Sequence, residues 1–168
     1  MARIVTACLL LSFNILFAQT SKLMSRNDAV ATRDIIDGSK HPELILDSTA
    51  YRLWLIAATT EDTAHPDLSE FRRLAILKSA GIKDDDLSAA EWVLSQFKSE
   101  YATLLDSYNK GVAANQNPDL AAFVAEREAL VTATRDSLRS QLSTDSSANL
   151  QAHIHAEKAH MKVAKEVQ

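Results

Sequence analysis

The densest run of side chains able to do chemistry is His153-Ile154-His155-Ala156-Glu157-Lys158-Ala159-His160-Met161. Read as a helix, each residue advances about 100°, so with His153 at zero Glu157 falls near +40° and His160 near −20°. The three share one strip. Met161, at about +80°, lies on the adjoining apolar face, and His155 points roughly the opposite way. Imidazole, carboxylate and thioether all bind metals; Met suits soft copper, and His with Glu suits zinc or nickel. His153, Glu157, His160 and Met161 are therefore the candidate metal residues, for Cu, Zn or Ni. The spacing is not His-Glu-x-x-His, and two histidines seven residues apart are separated by about 10.5 Å along a helix axis. One ion would pair Glu157 with one of them and take a further ligand from elsewhere, such as His41 or His65. The simpler expectation is no cofactor, with these residues flanking a core stripe of Leu150, Ile154, Met161 and Ala164. Glu157 would then sit at the core edge and need a cationic partner, because desolvating an unpaired charge is costly. An arginine such as Arg52 is the expected partner.

Support for catalysis is thin. The only cysteine is Cys8, near the start of the chain. No Gly-x-Ser-x-Gly elbow and no phosphate-binding loop occurs. Asp84-Asp85-Asp86 reads as charge placed against the positive end of a helix dipole, and Glu126-Arg127-Glu128 as a solvated face. The chain is not expected to be an enzyme. Its formal net charge of −4 argues against nucleic acid, since phosphate binding needs a basic face.

Arg3 is the only charge before Lys22, and an apolar stretch follows from Ile4 to Ala18. It is shorter than the roughly 20 residues that span a bilayer. The pattern predicts a signal peptide over residues 1–18, cut after Ala18, and an exported protein, periplasmic or secreted. An uncleaved anchor is the alternative, and the only route by which this sequence would meet a membrane. Removing the segment also removes Cys8, so no disulfide could hold the mature chain. A domain of about 150 residues can be held by burial alone, since it removes roughly 68–70% of its unfolded surface from water.

The remaining sequence must position these residues. Only three glycines and three prolines occur, and 46% of the chain is hydrophobic, without the alternating runs and frequent turns of sheet proteins. The expectation is all-α: a helical bundle built around a long antiparallel helical hairpin. Residues 19–46 read as an irregular strap, with a helical turn near Ala29–Ile36 and apolar pins at Ile35-Ile36 and Leu44-Ile45-Leu46. Residues 47–168 form the helical domain. Its first helix, Thr49–Thr60 with Asp47 and Ser48 as caps, is apolar nearly all round and belongs in the centre. A second helix starts at Pro66 and stops at Gly81, with Leu68, Phe71, Leu74, Ala75 and Lys78 on one face. A third runs from about Leu87 to Ala113, opened by a Ser88–Glu91 capping box. Its seam of Leu87, Ala90, Leu94, Phe97, Tyr101, Leu104, Tyr108 and Val112 has coiled-coil spacing. Asn117-Pro118 opens a fourth helix with Val131 and Leu138 on its apolar face, and a fifth starts near Ser143–Ser147 and reaches about Lys165.

Three features give the chain a likeness to known proteins: the Tyr-Arg-Leu-Trp helix after Leu46-Asp47, the Gln141-Leu142-Ser143 hinge, and the ending His153-Ile154, Glu157-Lys158 and Met161-Lys162-Val163. On these it resembles a loosely defined group of exported, all-helical bacterial proteins with no assigned activity. The resemblance implies export and helicity and no chemistry. The expected function is a protein-interaction module, binding a protein partner or a second copy of itself. The alternative is an extracytoplasmic metal-binding or metal-sensing protein using the C-terminal His/Glu/Met helix.

Overall fold

The computed structural model describes residues 34–114 and 116–165. The expected signal segment, the cut after Ala18, Cys8 and the strap as far as residue 33 lie outside the described residues. Within them the chain is an all-α bundle of five helices: α1 (Asp47–Thr59), α2 (Pro66–Ser79), α3 (Leu87–Ala113), α4 (Leu120–Gln141) and α5 (Thr144–Glu157).

The run Ala50–Ala58 places apolar side chains on every side of α1, and α1 accordingly packs against each of the other four helices. Ala50, Trp54, Leu55 and Ala58 join Leu77, Val93, Leu94, Phe97, Val131, Leu138, Leu150 and Ile154 in one core. The third helix has the predicted bounds, but its seam is buried only in part. Ala90, Leu94 and Phe97 are in the core, Tyr101, Leu104 and Tyr108 are half-buried, and Val112 is exposed. Helices α3 and α4 share the most extensive helix contact of the fold. Across the connection between them, Tyr108 and Phe123 rings lie 4.6 Å apart.

Three helix starts differ from those the sequence suggests. The Ser88–Glu91 box does not form: Ser88 is already inside α3, and its N-cap Asp86 makes no side-chain cap. Asp86 instead accepts from the Ser143 backbone N–H at 3.1 Å and from the Ser143 hydroxyl at 2.5 Å, tying the start of α3 to the start of α5. Leu46, not Asp47 or Ser48, occupies the N-cap position of α1. Asp119, not Asn117, caps α4, accepting from Ala121 and Ala122 N–H groups. Gly81 holds a left-handed φ of +75°, and a Cβ there would meet Asn149 at 2.7 Å, so both the turn and the packing demand glycine.

Helix α5 is shorter than the sequence predicts. It ends at Glu157, passes through a 3-10 turn at Lys158–His160, and becomes an extended segment β2 (Lys162–Ala164). β2 pairs antiparallel with β1 (Ile35–Asp37), placing Ile36 opposite Val163. The end of the strap is therefore a strand rather than the last part of a helical turn. The chain departs from the helix because Gly38 comes close to the departing backbone: its N–H donates to the Met161 carbonyl at 2.9 Å. Any Cβ at Gly38 would lie 1.8 Å from the Lys158 carbonyl oxygen.

Candidate functional site

The end of α5 after Glu157 breaks the strip on which the metal reading rests. His153 and Glu157 remain on α5, both half-buried. His160 is exposed in the 3-10 turn, and Met161, just beyond it, packs against the core. Helical spacing therefore no longer relates the two pairs. The outside ligands suggested by the sequence are engaged locally: His41 Nδ1 lies 3.2 Å from Glu43, and His65 Nδ1 2.9 Å from Asp62. Among the described residues, no group of three or more His, Cys, Asp or Glu is placed to hold a metal ion.

The expected Arg52–Glu157 pair is replaced by two others. Arg52, only 3% exposed, donates to Glu128 at 2.6 Å. Lys158, rather than Glu157, is the buried charge at the end of α5; its ammonium pairs with Asp47 in the first turn of α1. Glu128 also accepts from Arg127 Nε at 3.2 Å and Nη2 at 3.0 Å. The triplet read as a solvated face is thus partly interior, with Arg127 also lying over the Phe123 ring at 6.0 Å. Loss of water pushes the Glu128 carboxyl up. Hydrogen bonds from Ser48 and Arg127, with the charges of Arg52 and Arg127, together outweigh this and hold it below its ordinary value. One sequence signal was available: a lone arginine in the apolar run of α1 must reach a carboxylate. Which carboxylate depends on how the helices pack.

Two concave regions among the described residues lie between helices. One, of about 210 Å³, lies between the end of α1 and the middle of α3, lined by Ile56, Tyr101, Ala102 and Leu105 with Lys98 at its edge. Lys98 is held there by Glu61 at 2.5 Å. The other, of about 220 Å³, lies between α1, α4 and α5 and is richer in polar groups.

The outer surface departs most from expectation on α2. The start of the face marked out by its apolar residues points to solvent: Leu68 is 62% and Phe71 73% exposed. Ser69 and Leu77 point inward instead. The Ser69 hydroxyl accepts from the Asp62 N–H at 2.7 Å, and Arg72 donates to the Thr60 carbonyl, and these bonds tie α2 to the loop before it. Trp92 adds a third large apolar side chain on α3, 55% exposed. It follows Glu91, whose carboxylate pairs with Arg73 of α2 at 3.5 Å.

The class defined by this fold is an all-α bundle. Comparison with protein-family models, with curated proteins and with solved structures finds no match.

Proposed function

We propose that this is an exported helical interaction module that binds another protein through the outward face of α2 and Trp92 of α3. The observation that carries this reading is the exposure of Leu68, Phe71 and Trp92. Leu68 and Phe71 are three residues apart, so they stand one above the other on a helix. That is the pattern by which helical surfaces present anchors to a partner. Trp and Phe are enriched in protein interfaces, and a few such residues carry most of the binding energy.

A photo-crosslinking residue at position 92, in cells expressing the full chain, tests the reading. The expected result is a discrete adduct of higher mass that disappears on Phe71→Asp while the melting temperature of the purified variant stays near wild type. Absence of an adduct, or an adduct indifferent to Phe71→Asp, overturns it.

A further inference from the structure

The hairpin of α3 and α4 changes character along its length. α3 is buried at Val93, Leu94 and Phe97, and α4 at Val131, Thr134 and Leu138. None of the described residues from Lys98 to Leu130 is buried. The change falls where α1 stops. α1 packs against both helices, and its end, at Ile56 and Thr59, lines the same concave region as Tyr101 and Leu105 of α3. Past that point α3 and α4 form an arm without a core of its own. Its tip is closed tightly, since a Cβ at Gly111 would meet Pro118 at 3.2 Å.

One side of this arm is apolar. Leu105 and Val112 are seven residues apart, which brings them within about 20° of each other around α3 and about 10.5 Å apart along it. Val112 is 43% exposed, and across the tip Leu120 of α4 is 57% exposed. At the other end of this side lies the concave region of about 210 Å³ that Leu105 and Tyr101 share with Ile56. Its threonine and lysine donors are already engaged. The Thr59 and Thr60 hydroxyls donate to carbonyls of α1 at 2.7 and 2.6 Å, and Lys98 is held by Glu61. Asp106 and Lys110 pair with each other at 2.6 Å, at least about 100° around α3 from Leu105 and Val112.

The geometry points to a second copy of this chain as the cover of this side, two arms packing antiparallel about a twofold axis as a four-helix bundle. An interface repeated on both partners must be self-complementary, and this one is. It carries an exposed apolar projection at one end, Val112 with Leu120, and an apolar hollow at the other. Turning one copy end for end about the midpoint of Leu105 and Val112 sets the projection of each copy against the hollow of the other. The hollow has room for an aliphatic side chain, since a cavity of about 150 Å³ already admits benzene. With the Asp106–Lys110 pair turned away, like faces meet without like charges opposed. Two helices make a single layer, and a second layer of two is the ordinary way to bury its apolar face. None of the residues of the α2 face takes part.

Sedimentation velocity of the purified full chain over a range of concentration tests this, and a reversible monomer–dimer equilibrium is expected. Val112 and Leu120 are exposed, so Val112→Glu and Leu120→Glu should melt like wild type in dilute solution. Each should weaken dimerisation roughly tenfold or more. Phe71→Asp should leave the dimer unchanged, which separates this contact from one made by α2. Crosslinking reads the antiparallel arrangement. Asn109 is exposed and lies beside the midpoint of Leu105 and Val112, so Asn109→Cys in a Cys8→Ser background should give a disulfide-linked dimer on mild oxidation. Ser99→Cys in the same background, about 15 Å along α3 from Asn109, should not. A monomer at every concentration, a dimer indifferent to Val112→Glu and Leu120→Glu, or Ser99→Cys crosslinking as readily as Asn109→Cys overturns the assignment.

Discussion

Arg52, Arg127 and Glu128 form the most consequential cluster at the scale of single residues. One carboxylate serves two arginines, and arginine does not give up its proton in proteins. Glu128→Gln would leave both cations with a neutral partner. Breaking such a pair from one side costs more than the pair contributes, so a loss of roughly 3 kcal/mol in unfolding free energy by urea titration is expected. Arg52→Met, which removes the buried charge and keeps the packing, should cost clearly less. The same cluster sets an acid limit. The Glu128 carboxyl is held below its ordinary value of 4.5, so the stability it contributes is fully present above that pH. It is lost as the pH falls through the lower folded-state value. Stability measured from pH 6 downward should therefore decline below about 4.5 in wild type and decline less in Glu128→Gln. Thr49 provides the opposite case. It is fully buried, and among the described residues its hydroxyl has no hydrogen-bond partner. Thr49→Val should stabilise the fold by about 1 kcal/mol, read as a higher urea midpoint, because an unmade buried hydrogen bond costs about 1–3 kcal/mol.

Among the elements, α3 divides into two halves. Leu94 is in the core and Leu104 is only half-buried, although both belong to the seam. Leu94→Ala should cost about 2–5 kcal/mol, and Leu104→Ala no more than about half as much, since the cost follows the cavity left behind. Equal costs would mean that the outer half of α3 is buried as deeply as the inner half. The β1–β2 ribbon depends on a different contact. Gly38→Ala would drive a methyl into the Lys158 carbonyl. The expected result is faster amide exchange at Ile36 and Val163, with a stability loss of roughly 1–3 kcal/mol from overpacking. The exchange of the α3 and α4 core amides should change far less. Periodicity located every helix of the bundle because each carries an apolar repeat and sits between chain breakers such as Pro66, Gly81 and Pro118. It misplaced the end of α5 because Lys158–Val163 contains no breaker. That segment turns extended through its fit against Gly38, which lies far away in sequence.

For the whole molecule, the proposal of export makes a direct prediction. Intact-mass spectrometry of the protein recovered outside the cytoplasm should give a chain beginning at Gln19. A mass that retains Met1 would count against cleavage after Ala18. Recovery of the full-length protein only from the cytoplasm would count against export itself.

Helix content, the bounds of α3 and the central position of α1 were determined by local sequence, through apolar periodicity and the chain breakers between helices. The all-α class followed from the same pattern. Tertiary packing alone decided which polar residues meet. Arg52 was legible as a buried cation that needs a carboxylate, but its choice of Glu128 over Glu157 depends on how α1 and α4 pack. Lys158 pairs with Asp47, and Arg135, Arg139 and Tyr51 gather at one crevice, because three helices converge there. Such pairings join residues far apart in the chain, and helical spacing carries no information about them. The rotation of α2 was not legible in its stripe either. The stripe specifies a helix with one greasy side, and the packing of Ser69 and Leu77 inward leaves Leu68 and Phe71 of that side toward solvent, because which face a helix buries depends on the neighbours it meets.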